Sequence, residues 1–170
     1  MQKDDYIVLK PYSLSDAEDL TRIANNEKIS GNMRDLFPQP YSLQDAENYI
    51  KLRLEDKIQS IFAIIYNGEL VGSIGLHLQQ DVYRLSAELG YFIGEKYWNK
   101  GIATKSIALI TEFGFESLHL TRIFAGVFEH NKASMRVLEK NNYTLEGIKR
   151  KAIIKNNILM DEYFYAKINE

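Results

Sequence analysis

With 170 residues, 45% of them apolar and 26% charged, the chain has the length and composition of one domain with a sizeable core. A formal net charge of −2 gives it no bulk electrostatic reason to bind nucleic acid. The absence of cysteine excludes disulfides, thiolate metal sites and a cysteine nucleophile, and fits a cytoplasmic setting. Met1–Asp5 carries no apolar run of the signal-peptide kind, and no later stretch approaches membrane-spanning length. His77, His119 and His130 show no ligand spacing, so no metal is expected.

Tyr6 to Pro11 alternates as a first strand that Pro11 ends. Ser13 or Ser15 is placed to cap the helix that follows, with Glu18 three residues after Ser15, and Ala17, Leu20, Ile23 and Ala24 on its apolar face. From Glu27 to Tyr41 the glycine and prolines break every period. That stretch reads as an irregular loop, partly a cover for the core and partly a flap facing substrate. Ser42, with Asp45 three residues on, caps a second helix whose buried stripe is Ala46, Tyr49, Ile50 and Arg53–Leu54.

Residues 60–66 and 69–78 form a hairpin around the tight Asn67–Gly68 turn, with Gly72 and Gly75 as points of a bulge or of close approach. Residues 84–94 are the next strand, in which Gly90 marks a bulge or a splay. A helix follows from Ile102 to Ser117, with Ala103, Ile107, Ile110 and Gly114 on one face. Leu120 to Phe128 is a strand, and Asn131 caps a short helix over 132–140. Two final strands turn at Asn156–Asn157. No linker or repeat interrupts residues 1–170, so a single domain of α/β (α+β) class is expected: a mixed, mostly antiparallel sheet of about seven strands flanked by about four helices.

Between the 84–94 strand and its helix lies Tyr97-Trp98-Asn99-Lys100-Gly101-Ile102-Ala103-Thr104. A strand that feeds a helix through a short turn leaves the first-turn N–H groups, backed by the helix dipole, aimed at an anion. Gly101 lets backbone approach a ligand closely, and Lys100 and Lys105 flank the turn with positive charge. The stretch reads as a diphosphate cradle. It lacks the Gly-Lys-Ser/Thr ending of a P-loop and the three glycines of a dinucleotide fingerprint, and many such junctions bind nothing.

Residues 87–93 (AELGYFI), 97–104 (YWNKGIAT) and 131–140 (NKASMRVLEK), then Glu146-Gly147 and Asp161, together resemble the GNAT N-acetyltransferases over nearly the whole chain. The nearest likeness is to the RimJ/RimL type, which acetylates ribosomal-protein N-termini. Phe37-Pro38-Gln39-Pro40-Tyr41 followed by Asp45-Ala46 looks like that branch too. The resemblance implies acetyl-CoA as co-substrate and an amine as acceptor, such as a protein N-terminus. It implies that Trp98, Asn99, Lys100, Gly101, Ile102, Ala103 and Thr104 hold the pyrophosphate, and that the strand of Tyr91, Phe92 and Ile93 pairs with the pantetheine arm. It also implies that Asn131 bonds to that arm and that Ser134 lies near the thioester sulfur. Three departures stand out. Asn99 occupies a place where many relatives have glycine, Asn142–Tyr143 replaces their Gly-Phe, and Leu138 replaces a tyrosine general acid.

An amine attacks a thioester only as the free base, and the resulting oxyanion needs donors. Glu88 is the candidate base, acting through a water, against the reading of an ordinary solvated strand glutamate. The N–H groups of Tyr91 to Ile93 are candidate oxyanion donors. Ser134 is the candidate for assisting the thiolate, and Tyr163, Tyr143 and Tyr91 are alternatives. Arg34, Asp35 and Asp161 are candidates for the acceptor side, Arg136 and Glu139 for a helix-surface pair. Residues 149–151 form either a solvated strand end or a contact for an acidic partner. Three functions follow: an amine N-acetyltransferase, a CoA-binding module of the same fold without catalysis, or a nucleotide-binding protein that uses the same turn. Neither nucleic acid nor membrane is an expected partner, and the chain is a monomer or a homodimer.

Overall fold

A computed structural model describes residues 6–170, so the expectation for Met1–Asp5 lies outside the described residues. Seven strands form one sheet in the order β1-β2-β3-β4-β5-β7-β6. They are β1 (Ile7–Lys10), β2 (Ile61–Tyr66), β3 (Glu69–Leu78), β4 (Ser86–Ile93), β5 (Arg122–Phe128), β6 (Thr144–Lys155) and β7 (Ile158–Ile168). β4 and β5 pair in parallel. The pairs β1–β2, β2–β3, β5–β7 and β6–β7 are antiparallel. The helices are α1 (Ala17–Ala24), α2 (Glu27–Ser30), α3 (Leu43–Leu54), α4 (Ile102–Glu116) and α5 (Lys132–Lys140). Four of them match the reading from sequence. The fifth, α2, is a single turn inside the stretch read as irregular, and it exists because the Asn26 side chain accepts the Lys28 N–H at 2.8 Å.

The chain divides into two compact units, residues 1–75 with 91–106, and residues 76–90 with 107–170. In the first unit, α1 and α3 bury Leu20, Ile23, Ala24, Ala46 and Ile50 against Ile61, Ala63 and Leu70. Leu54, expected in that stripe, is 55% exposed instead, because it falls in the last turn, where the helix has left the core. The Asn67–Gly68 turn has φ of 50° and 88°, the double left-handed geometry of a tight hairpin. At Gly72 a Cβ would overlap the Phe92 carbonyl oxygen, so only glycine lets β3 and β4 approach there. Of the two cap candidates ahead of α1, the structure uses Ser13, paired with Asp16, and not Ser15 with Glu18. Ser13 donates its N–H (2.8 Å) and its hydroxyl (3.0 Å) to Asp16, and one 3₁₀ turn, Leu14–Asp16, precedes α1.

Burial works against ionisation of Asp16, but Lys10 at 2.8 Å and the Ser13 donors outweigh it and hold the carboxyl below its ordinary range. A depressed carboxylate contributes stability above its unfolded pKa and loses it as pH falls through the folded value. Asp16→Asn is therefore expected to cost about 1 kcal/mol at neutral pH, typical of a lost cap. Its deficit should vanish in unfolding curves taken progressively below the ordinary aspartate pKa of about 3.9. A deficit that persists in acid would assign the effect to packing.

In the second unit, β5 buries Ile123, Ala125 and Val127, and Ile123 lies beside Gly114 of α4, where a Cβ would stand 2.8 Å from its side chain. The β4–β5 pairing spans only Ser86–Glu88 with Arg122–Phe124. Leu89 and Gly90 on β4, and Ala125–Phe128 on β5, lie past its end, as a splay at Gly90 implied. Asn156 and Asn157 have φ of 51° and 61° and make the β6–β7 turn as expected. Among the described residues no helix is long and apolar enough to cross a membrane.

Candidate active site

The first unit carries the turn read from sequence as a cradle. The Gly94 N–H bonds to the Val71 carbonyl at 2.8 Å, and a 3₁₀ turn, Glu95–Tyr97, swings the chain out of the sheet. Trp98 donates its indole N–H to the Ile93 carbonyl at 2.7 Å. The buried Tyr97 donates its hydroxyl to Glu69 at 2.6 Å, and this bond, with Lys96 beside it, holds the Glu69 carboxyl below its usual range. Glu95 accepts from Asn26 at 2.8 Å and pairs with Lys28. The turn is thus tied down on both sides ahead of the candidate anion site. None of these ties was read from sequence; the bonds of Tyr97 to Glu69 and of Asn26 to Glu95 join residues 28 and 69 positions apart.

Asn99 (φ 60°) and Gly101 (φ 75°) both adopt the left-handed region, and α4 starts at the buried Ile102. Asparagine is the residue that enters this region most readily after glycine, so Asn99 keeps the conformation that a glycine would supply. The Lys105 N–H bonds to the Gly101 carbonyl at 3.1 Å, which starts the α4 ladder and leaves the N–H groups of Ile102 and Ala103 in the first turn, where a helix offers them no carbonyl. Trp98, Asn99, Lys100 and Gly101 are exposed. Lys100 Nζ stands 5.4 Å from the Tyr97 ring centroid. On β4, Ile93 is buried, and Tyr91 and Phe92 are half-buried. The Phe37 ring meets Phe92 edge-on at 5.5 Å, so the loop before α3 packs on this strand.

The second unit carries the remaining candidates. Glu88 is half-buried opposite Phe124, and its neighbours Ala87 and Leu89 are buried on the other face. Asn131 caps α5, its side-chain oxygen accepting the Ser134 N–H at 3.2 Å. Ser134 is half-buried, whereas Leu138 is fully buried and cannot donate a proton. Tyr143 is buried in the core, where its hydroxyl and that of Thr111 hydrogen-bond at 2.8 Å and burial pushes its pKa up to about 12. Glu139 accepts the Tyr165 hydroxyl at 2.9 Å instead of pairing with Arg136. Asp161 accepts the Lys151 N–H at 2.8 Å and pairs with Arg150 at 2.8 Å, so it fastens the irregular part of β6. Among the described residues no group of three or more His, Asp or Glu is placed to hold a metal.

The family model described as "Acetyltransferase (GNAT) domain" matches residues 7–144. The chain is 31% identical to the "Probable N-acetyltransferase YjcK" of Bacillus subtilis, over 99% of this chain and 97% of that protein. Other curated relatives are matched over about half of their own length, 55% and 49% in two cases. The structure of the Microcin C7 self immunity acetyltransferase MccE in complex with acetyl-CoA and AMP superposes with a TM-score of 0.81 at 27% identity, covering 98% of this chain and 94% of that one. The structure of RimL, a ribosomal L7/L12 α-N-protein acetyltransferase, in complex with coenzyme A reaches 0.84 at 21% identity, covering 95% and 93%, a likeness of fold.

Proposed function

The chain belongs to the acetyltransferase (GNAT) domain family, and on that premise we propose that residues 1–170 act as one N-acetyltransferase domain that moves the acetyl group of acetyl-CoA onto a primary amine. The observation that carries this reading is the turn from Trp98 to Thr104, with two left-handed residues and a helix start behind it. A diphosphate there would meet the positive end of the α4 dipole and the N–H groups of Ile102 and Ala103. Asn131 would hold the pantetheine arm and Ser134 would face the sulfur. Glu88 would take the amine proton through a water as nitrogen bonds to the thioester carbon and the carbonyl pair moves to oxygen. Backbone N–H groups of Tyr91 to Ile93 would stabilise that oxyanion. Its collapse breaks the C–S bond, and the thiolate gains a proton, with Ser134 as hydrogen-bond donor in place of an acid at Leu138.

The acceptor is a protein N-terminus, as in the RimJ/RimL type, or a small-molecule amine, and the setting is the cytoplasm. The test is thiol release from acetyl-CoA against a panel of N-terminal peptides, polyamines and small amines. Turnover with one class supports the reading. Tight CoA binding without turnover would favour a binding module, the reading that the buried Leu138 motivates.

Gly101→Ala probes the cradle directly. No atom lies within 4 Å of a Cβ there, so the whole cost is left-handed strain, about 1–2 kcal/mol. The KM for acetyl-CoA is expected to rise severalfold, with the KM for amine little changed. A fall in kcat with both KM values unchanged would show partial unfolding instead.

A further inference from the structure

The sheet of the second unit has two faces. Ile123, Ala125 and Val127 alternate onto the one beside α4 and α5, where Ile123 adjoins Gly114 and Tyr165 bonds to Glu139. Phe124, Gly126 and Phe128 point the other way. The register sets Glu88 opposite Phe124, Phe164 opposite Gly126, Glu162 opposite Phe128 and Lys149 opposite Glu162. Directly opposed residues share a face, so Glu88, Phe124, Phe164, Glu162 and Lys149 all project from this one.

Their arrangement is that of an ammonium site with an ammonium in it. Phe124 and Phe164 stack at 5.1 Å and 24°. Lys149 Nζ lies 4.2 Å from the Phe164 ring centroid and 3.0 Å from Glu162 Oε2. The other oxygen, Oε1, lies over Gly126, where a Cβ would collide with it. Glu162 is therefore not an ordinary rim partner of Lys149. Its side chain is only 15% exposed, and Gly126 makes room for it just past the end of the β4–β5 pairing. A π-face and a carboxylate converging on one point are what recognise a cation. The Lys149 side chain is 55% exposed and leaves for water at little cost.

We propose that Glu162 and Phe164, backed by Phe124, form a subsite for a second positive charge on the acceptor, which Lys149 fills until the acceptor displaces it. The acceptor class is an amine carrying a further ammonium or guanidinium group. Two strand spacings separate this column from β4, which places the second charge about 10 Å from the strand that carries Glu88. The inference rests on the acetyl-transfer reading and deepens it.

The test compares a straight-chain diamine of about that length with the amino-alcohol of equal length as acceptors. The wild-type chain is expected to favour the diamine in kcat/KM by about tenfold or more. Glu162→Gln and Phe164→Leu should each bring that ratio close to unity, while Lys149→Met should raise it severalfold. The ratio does not depend on the fraction of variant that folds. No preference in the wild type, or a preference kept in both variants, overturns the subsite. If neither acceptor is turned over, calorimetric titration decides. Diamine binding that exceeds amino-alcohol binding and is lost in Glu162→Gln upholds the subsite and removes the transfer reading, whereas equal binding removes both.

Discussion

Glu88→Gln is expected to lower kcat for acetyl transfer by about a hundredfold or more, the usual contribution of a positioned general base. Glutamine keeps the shape and the hydrogen-bonding reach of the side chain but cannot accept the amine proton. The position suits the role. Alternation along β4 buries Ala87 and Leu89 against the core and turns Glu88 to the opposite face, at the last residue that pairs with β5. Steady-state thiol release at saturating amine measures the effect. The KM for acetyl-CoA is expected to move little, because the cradle is built from residues 98–104. An unchanged kcat would remove Glu88 from the chemistry and leave positioning and the backbone donors of Tyr91 to Ile93 to account for the rate.

The largest effect on stability is expected at Gly72. Its added Cβ would meet the Phe92 carbonyl oxygen and then the Ile93 side chain at 3.1 Å and backbone at 3.2 Å. The first obstacle is backbone, so no rotamer change relieves it and β3 and β4 must separate. Gly72→Ala is expected to cost about 3 kcal/mol, the upper end for overpacking, and to lower Tm by roughly 6–12 °C at this chain length. Gly147→Ala is the control, because nothing lies within 4 Å of a Cβ there. Equal losses in both variants would show that the loss of glycine from a strand, and not the close approach, sets the cost. The β4 segment involved is the one proposed to hold the pantetheine arm, so a weakened KM for acetyl-CoA should accompany the loss of Tm.

What the amino-acid sequence determined by itself is local. The Ser42–Asp45 and Asn131–Ser134 caps close within three residues, and the Asn67–Gly68 and Asn156–Asn157 turns are made by residues that tolerate left-handed backbone. The strands, the four longer helices and the cradle from Trp98 to Thr104 followed from the same short-range rules, and their order sufficed for the family resemblance. Competing local partners were harder to separate. Ser13 with Asp16 prevailed over Ser15 with Glu18, because Lys10, held in β1, favours a carboxylate at position 16. Tertiary structure alone decided what depends on register and burial. Tyr143 became a core residue by meeting Thr111, and Asp161 became a fastener of β6. Glu162 was brought over Gly126 beside Phe164 and Lys149. Those residues lie up to 38 positions apart, and only the β5–β7–β6 pairing sets them on one face, since a shift of one residue in any strand would turn its side chain to the other.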